Sequence, residues 1–163
     1  SKQFPFELFY FYGENLMNDH FELLIMGQQF KKLYEKCYGH IMQTYGLKKI
    51  DIDVLYFLSH CGKQDTAKDI ANLIYVSKAH VSKAIENLHQ KALIDLIADS
   101  SDRRYVHISI SGSGQQIVDE IKQIRAKTEK ILFDGISPED RELLLRLSYQ
   151  IADNIDHALQ TQL

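Results

Sequence analysis

The sequence predicts a mainly α-helical protein with one small β-hairpin, and three observations carry that prediction. Apolar residues recur at three- and four-residue steps over most of the chain. Strict alternation replaces that rhythm between Ile94 and Ile110. Helix-start residues stand just ahead of apolar-periodic segments at Thr66, Ser77, Ser111 or Ser113, and Ser137.

The elements follow in order. From Glu14 to Tyr45, Leu16, His20, Phe21, Leu24, Leu33, Tyr34, Cys37, Ile41 and Tyr45 trace one face of a long amphipathic helix that ends near Gly46. A shorter helix is expected over about Ile50 to Ser59, where Ile52, Leu55, Tyr56 and Leu58 cluster, with Gly62 closing it. Thr66 caps a helix through Leu73 and Ser77 caps another to about Lys91, leaving only Ile74, Tyr75 and Val76 between them. Two short capped helices so closely spaced form a helix-turn-helix, and Ala71 is small enough to let them cross closely. The alternation then sets Ile94, Leu96 and Ala98 on one side and Val106, Ile108 and Ile110 on one face, around a polar tip from Asp99 to Arg104. Ser111 or Ser113 starts a helix through Ile117, Val118, Ile121, Ile124 and Ile131 before Gly135. The last helix opens on Ser137 as cap, Pro138 at its first position, and Glu139 and Asp140 against the helix dipole. It continues through Leu143, Leu144, Leu147, Ile151 and Ile155. A lone hairpin is not stable in water, so it must pack on the two capped helices as a wing. The prediction is a winged helix-turn-helix.

The first helix and the last two carry more apolar surface than one small winged helix covers, and the stretch Phe4 to Tyr12 adds more. That surplus points to a dimerisation core built from both ends of the chain, although the aromatic stretch could also fold back on its own chain. The expected division is 1–46 for dimerisation, 47–111 for the winged helix-turn-helix, and 112–163 for dimerisation.

Composition bounds the class. A chain of 163 residues, 45% hydrophobic and 25% charged, is ordinary for a soluble globular protein and excludes disordered or collagen-like chains. No apolar run reaches the roughly 20 residues that span a bilayer, so no membrane partner is expected. No small-residue cleavage site follows the aromatic stretch. Cys37 and Cys61 form neither a disulfide framework nor a zinc-ribbon spacing, and the expected compartment is the cytoplasm. The net charge of −3 argues against indiscriminate coating of nucleic acid, but it is unevenly spread. Between Lys63 and His107, seven basic residues meet six acidic ones, so the middle is the least acidic part.

On a helical wheel of Ser77 to Lys91, Val81, Ala84, Ile85 and Leu88 face inward, while Ala79, His80, Lys83, Glu86, Asn87 and Gln90 face out. A cation and short polar groups near a helix N-terminus suit the major groove, where Lys83 would reach guanine acceptors and Asn87 would read adenine. A merely solvated face would look the same on the wheel. The three-residue turn before this helix and the arginine-tipped hairpin after it favour the groove-binding reading. Ser77, Lys78 and Ser82, with Thr66 at the preceding helix start, are placed to meet phosphates, although Ser77 and Thr66 also serve as caps. At the tip, Asp102, Arg103 and Arg104 stand between strands. Arg104 is the candidate for the minor groove, whose negative potential draws arginine. Asp102 is expected to pair with an arginine and fix the shape of the tip.

At this point the segment from Thr66 to Gly114 resembles the MarR family of regulators. The run TAKDIANLIYVSKAHVSKAIENLHQKALI is similar to the family's helix-turn-helix, and SDRRYVHISISGSG is similar to its wing. The wing pattern appears as Asp102, Arg104, Ile110, Ser111 and Gly114, with Ser111 where the family usually has Thr and Ala92 where it usually has Gly. The resemblance implies a homodimer on a pseudo-palindromic operator, Arg104 in the minor groove and Lys83 at a recognition position. It further implies repression relieved by a ligand. Members of the family often sense small aromatic or phenolic compounds, and some sense peroxide through cysteine or bind metal. Cys37 and His40 share a helix face, but two ligands do not define a metal site, and a core thiol suffices to explain Cys37. No cofactor or metal is expected.

Two other functions compete. A protein-interaction module on a winged-helix scaffold would have a neutral or apolar recognition face, against which Lys78, Lys83, Arg103 and Arg104 argue. An enzyme would carry a phosphate loop, a nucleophile elbow or HExxH, none of which occurs.

Overall fold

The computed structural model describes residues 21–74, 76–102 and 104–161. The expected helix start at Glu14, the stretch Phe4 to Tyr12, Tyr75 and Arg103 lie outside them. Among the described residues the order is α1 (Phe21–Tyr45), α2 (Lys49–Leu58), α3 (Ala67–Leu73), α4 (Lys78–Gln90), β1 (Ile94–Ala98), β2 (Val106–Ile110), α5 (Gly112–Leu132) and α6 (Pro138–Gln160). The fold is mainly helical with one antiparallel hairpin, as the periodicity predicts. No helix among the described residues is long and apolar enough to cross a membrane.

The chain forms two compact units, one ending at Ile124 and the other beginning at Arg125. The first holds one core. Tyr38 and Ile41 of α1, Ile52, Val54 and Leu55 of α2, Ile70 of α3, Val81 and Leu88 of α4, and Ile117, Val118 and Ile121 of α5 are all buried in it. Burying a Leu or Ile side chain is worth about 1.5–3 kcal/mol, so this set is a major favourable contribution to the stability of the winged helix.

Local signals place the elements. Gly46, at φ +61°, ends α1, and the Leu47 N–H returns to the Met42 carbonyl at 3.0 Å in a Schellman turn. The C-cap of α2 is Ser59, not the expected Gly62, which instead sits in the turn closed by Gln64 N–H donating to Cys61 O at 3.0 Å. Thr66 and Ser77 cap α3 and α4 as expected. The end of α4 repeats the Schellman pattern, with Leu93 N–H to Leu88 O at 3.0 Å and Ala92 N–H to His89 O at 2.9 Å. Ala92 therefore adopts φ +55°, the left-handed conformation normally left to glycine.

Of the two start residues offered for α5, Ser111 is the one used: its Oγ accepts the Gly114 N–H at 3.0 Å and donates to the Ala92 carbonyl at 2.7 Å. Gly114 is buried, and a Cβ there would stand 2.0 Å from the Leu93 carbonyl oxygen. Only glycine lets α5 begin this close to the turn after α4.

The hairpin pairs Ile94 with Ile110, Leu96 with Ile108 and Ala98 with Val106, so the predicted apolar residues share one face. Only Ile94 and Ile108 of that face are buried, because the wing projects beyond the helices, and Leu96 and Val106 remain exposed.

The second unit contains the end of α5, a turn at Gly135 and α6. Ser137 Oγ accepts the Asp140 N–H at 3.1 Å and Pro138 opens the helix, as expected. Arg141 donates to the Phe133 carbonyl at 2.9 Å, with its guanidinium 4.8 Å from the Phe133 ring centre. No residue of α6 is buried.

Candidate nucleic-acid interface

Helix α4 divides as the wheel predicts: Val81, Ala84, Ile85 and Leu88 are buried, whereas Ser77, Lys78, Ala79, His80, Ser82 and Lys83 are exposed. The exposed set runs along the first two turns, where unpaired N–H groups and the positive end of the dipole favour an anion. Ser77 Oγ accepts the His80 N–H at 3.4 Å and lies 3.1 Å from His80 Nδ1, so capping draws the imidazole back over the helix start. Thr66 is more fully engaged. Its hydroxyl donates to Asp69 at 2.6 Å and accepts the Asp69 N–H at 3.3 Å, closing a capping box.

Asn87 departs from its predicted orientation. Its side-chain amide donates inward to Asp51 Oδ2 at 2.8 Å, so it braces α4 against α2 and does not face out with Lys83. Asp51 is 1% exposed and also accepts the Lys48 N–H at 2.8 Å. A carboxylate can be buried where it both caps one helix and receives an amide from another. A wheel averages over one helix and cannot register a partner 36 positions away.

The wing tip matches the expectation for Asp102. Arg104 Nε and Nη2 donate to its carboxylate at 3.0 and 2.6 Å, and the Arg104 backbone N–H donates to it at 3.0 Å. The Arg104 hydrogen bonds hold the Asp102 carboxyl below its ordinary range, and the same pairing raises the guanidinium. The Arg104 side chain is nevertheless 87% exposed, so it is braced yet open to a ligand.

Sequence reading missed the network beneath the tip. Asp99 Oδ1 accepts the Ser101 N–H at 2.7 Å and the Asp102 N–H at 2.8 Å, as well as the Ser101 hydroxyl. The Ser101 hydroxyl first, then the Asp102 N–H and the His107 ring, hold the Asp99 carboxyl far below the usual carboxylate range. His107 Nδ1 lies 2.6 Å from Asp65 Oδ1 and its Nε2 lies 3.1 Å from Asp99 Oδ2. Asp65 leads into α3, and its carbonyl also accepts the Ile108 N–H at 3.0 Å. Only the alternation placing His107 on the face opposite Ile108 was visible beforehand.

Comparison with known proteins agrees with this geometry. Residues 45–104 match the model of the MarR family. The chain is 32% identical over 125 residues to YwaE, an HTH-type transcriptional regulator of Bacillus subtilis (strain 168), covering 77% of this chain and 72% of the relative. The chain belongs to the MarR family. MarR-family proteins are transcription regulators and not enzymes.

Solved structures share the fold. A MarR/EmrR family regulator from Acinetobacter sp. ADP1 superposes with TM-score 0.73 at 21% identity, covering 88% of this chain and 99% of that one. MepR of S. aureus, solved as a DNA complex, gives TM-score 0.69 at 20% identity over 87% of this chain and 99% of its own. BpsR of Bordetella bronchiseptica, whose DNA binding is regulated by 6-hydroxynicotinic acid, gives 0.59 at 22% identity over 78% and 98%. The MarR match spans both halves of the interface described above, α4 and the wing base through Arg104.

Proposed function

We propose that this MarR-family regulator binds double-stranded DNA sequence-specifically as a homodimer in the cytoplasm and represses transcription until a small aromatic ligand releases it. The observation that carries the reading is the pairing of an exposed, N-capped helix face bearing Lys78 and Lys83 with a braced, exposed Arg104 on the wing. Lys83 reads base edges in the major groove, Ser77, Lys78, Ala79, His80 and Ser82 line the approach to the phosphates, and Arg104 enters the minor groove. Asp102 serves by fixing Arg104, while Thr66 and Asn87 serve by fixing the helices. The DNA complex of MepR supports the partner class.

Dimerisation is supported by α6, which exposes Leu143, Leu144, Leu147, Ile151 and Ile155. Response to an aromatic ligand is supported by the regulation of BpsR by 6-hydroxynicotinic acid.

The test is binding of the wild type, Lys83→Ala and Arg104→Ala to duplex DNA from upstream of the protein's own coding sequence over a salt series. Wild-type affinity is expected to fall with salt by about 0.9 log units per log unit for each phosphate contacted. Each substitution should weaken binding by about 1–3 kcal/mol. Salt-insensitive binding, or binding indifferent to both substitutions, would overturn the reading.

A further inference from the structure

His107 stands between two carboxylates from different parts of the chain. Asp65 comes from the segment entering the helix-turn-helix and meets Nδ1; Asp99 comes from the end of β1 and meets Nε2. An ionised carboxylate can only accept hydrogen bonds, so holding both contacts requires both ring nitrogens to donate. Only the imidazolium can do that. A neutral ring has one N–H, and turning it to either carboxylate leaves its bare nitrogen facing the other.

The contacts form a continuous chain. Asp65 ties His107 to the start of α3, His107 ties Asp99 in place, Asp99 gathers the Ser101 and Asp102 backbone N–H groups, and Asp102 holds Arg104 in a two-pronged grip. At one end is the helix-turn-helix, and at the other is the arginine assigned above to the minor groove. The charged and titratable groups recorded around this chain are Asp65 and Asp99 on the ring itself, Asp69 and the Cys61 thiol beyond Asp65, and Asp102 with Arg104 beyond Asp99. Both groups on the ring are anionic and favour its proton, and the one cation named, Arg104, is paired with Asp102.

We propose that His107 is the positioning residue of the wing: its imidazolium clamps the wing base to the helix-turn-helix, so the proton it carries sets how firmly Arg104 is presented and couples DNA affinity to pH. The coupling rests on the DNA-binding reading above; the clamp itself does not.

The sign follows from the direction of the shift. Asp65 first, then Asp99, raise the His107 pKa above its ordinary value, against a smaller opposing effect of burial. A group raised in the folded state contributes fully below its ordinary value of about 6.5 and loses that contribution as pH climbs through the folded value. The clamp is therefore closed in mild acid and opens as pH climbs above about 6.5 through the raised folded value. Coupling is reciprocal: if protonated protein binds DNA about tenfold tighter than neutral protein, DNA must lift the His107 midpoint by about one pH unit.

Two measurements test this together. The first follows the His107 ring by NMR from pH 5 to 9 in the wild type and in Asp99→Asn, which keeps the side-chain shape. The wild-type midpoint should lie above 6.5 and that of Asp99→Asn should fall below the wild type. The second follows binding of a labelled duplex from upstream of the coding sequence over the same pH range at constant ionic strength, for the wild type and His107→Gln. Wild-type affinity should drop about tenfold through the NMR midpoint, while His107→Gln binds weakly with a flat profile. A wild-type midpoint at or below 6.5, or the same pH profile in both proteins, overturns the proposal. If neither protein binds at any pH while the midpoint stays raised, the DNA-binding reading fails along with the coupling, and the clamp stands.

Discussion

The two compact units of this chain treat their apolar residues in opposite ways. In the first, every helix sends residues into one core, and Ile41, Val54, Leu55, Ile70, Val81 and Leu88 are wholly inaccessible to solvent. In the second, α6 repeats leucine and isoleucine at helical spacing and buries none of them; Leu143 is 42% exposed and Leu159 74%. Both carry the periodicity of an amphipathic helix, so the pattern alone does not say whether its apolar face meets the same chain or another one. The difference teaches that the first unit buries its apolar residues within itself, whereas the apolar face of α6 stays exposed, which is what the proposed homodimer would cover.

Truncation in the core gives the largest expected break. Leu55→Ala should cost about 3 kcal/mol, the middle of the range for a buried leucine whose cavity cannot fully collapse, read as a lower urea midpoint. Leu147→Asp should leave the unfolding of the first unit in place and reduce the mass seen in sedimentation to that of one chain. If Leu147→Asp instead unfolded the whole chain, the first unit would not be self-sufficient, and the contrast between the units would fail.

Gly114→Ala comes next and sharpens the picture within the first unit. The new Cβ would meet the Leu93 carbonyl at 2.0 Å, and backbone cannot step aside as a flexible side chain can. Either α5 shifts or the turn after α4 does, at a cost of about 2–3 kcal/mol, the upper part of the range for overpacking. Circular dichroism should show helix content retained with a lowered Tm. Unchanged stability would mean that the approach of α5 to Leu93 is looser than described.

How much of this could be read beforehand depends on how local the cause is. Caps and periods act within a few residues, so the boundaries of α3 and α4, the start of α6 at Ser137, the inward face of α4 and the two strands of the hairpin were all legible. That Asp102 would pair with an arginine was legible for the same reason, and the partner is Arg104, two positions away. Asp51 with Asn87, and Asp65 with His107, are separated by 36 and 42 positions, and nothing in either local segment names the other. Those are the contacts that fix the recognition helix and the wing. Sequence reading thus named exposed groups proposed to touch DNA and missed several of those that hold them. Gly62 shows the converse error: a plausible closing glycine stood nearby, but Ser59 had already capped α2.

The smallest effect expected is a gain, and it tests the junction between α4 and the wing. Ala92 holds φ +55° because the Schellman turn at the end of α4 demands a left-handed residue there. Left-handed backbone costs an L-residue about 1–2 kcal/mol, and glycine escapes that cost. Glycine in turn loses about 0.5–1 kcal/mol by freeing the unfolded chain. The Ala92 side chain is exposed, so little packing is surrendered, and the Ser111 hydroxyl bonds to its backbone carbonyl, which Ala92→Gly retains. The difference favours the variant by about 0.5–1 kcal/mol, seen as a urea midpoint shifted upward with an unchanged slope. A loss of stability would mean that the methyl group makes contacts worth more than the strain it carries. A gain in stability with unchanged DNA affinity would show that the junction stores strain without using it to aim the wing.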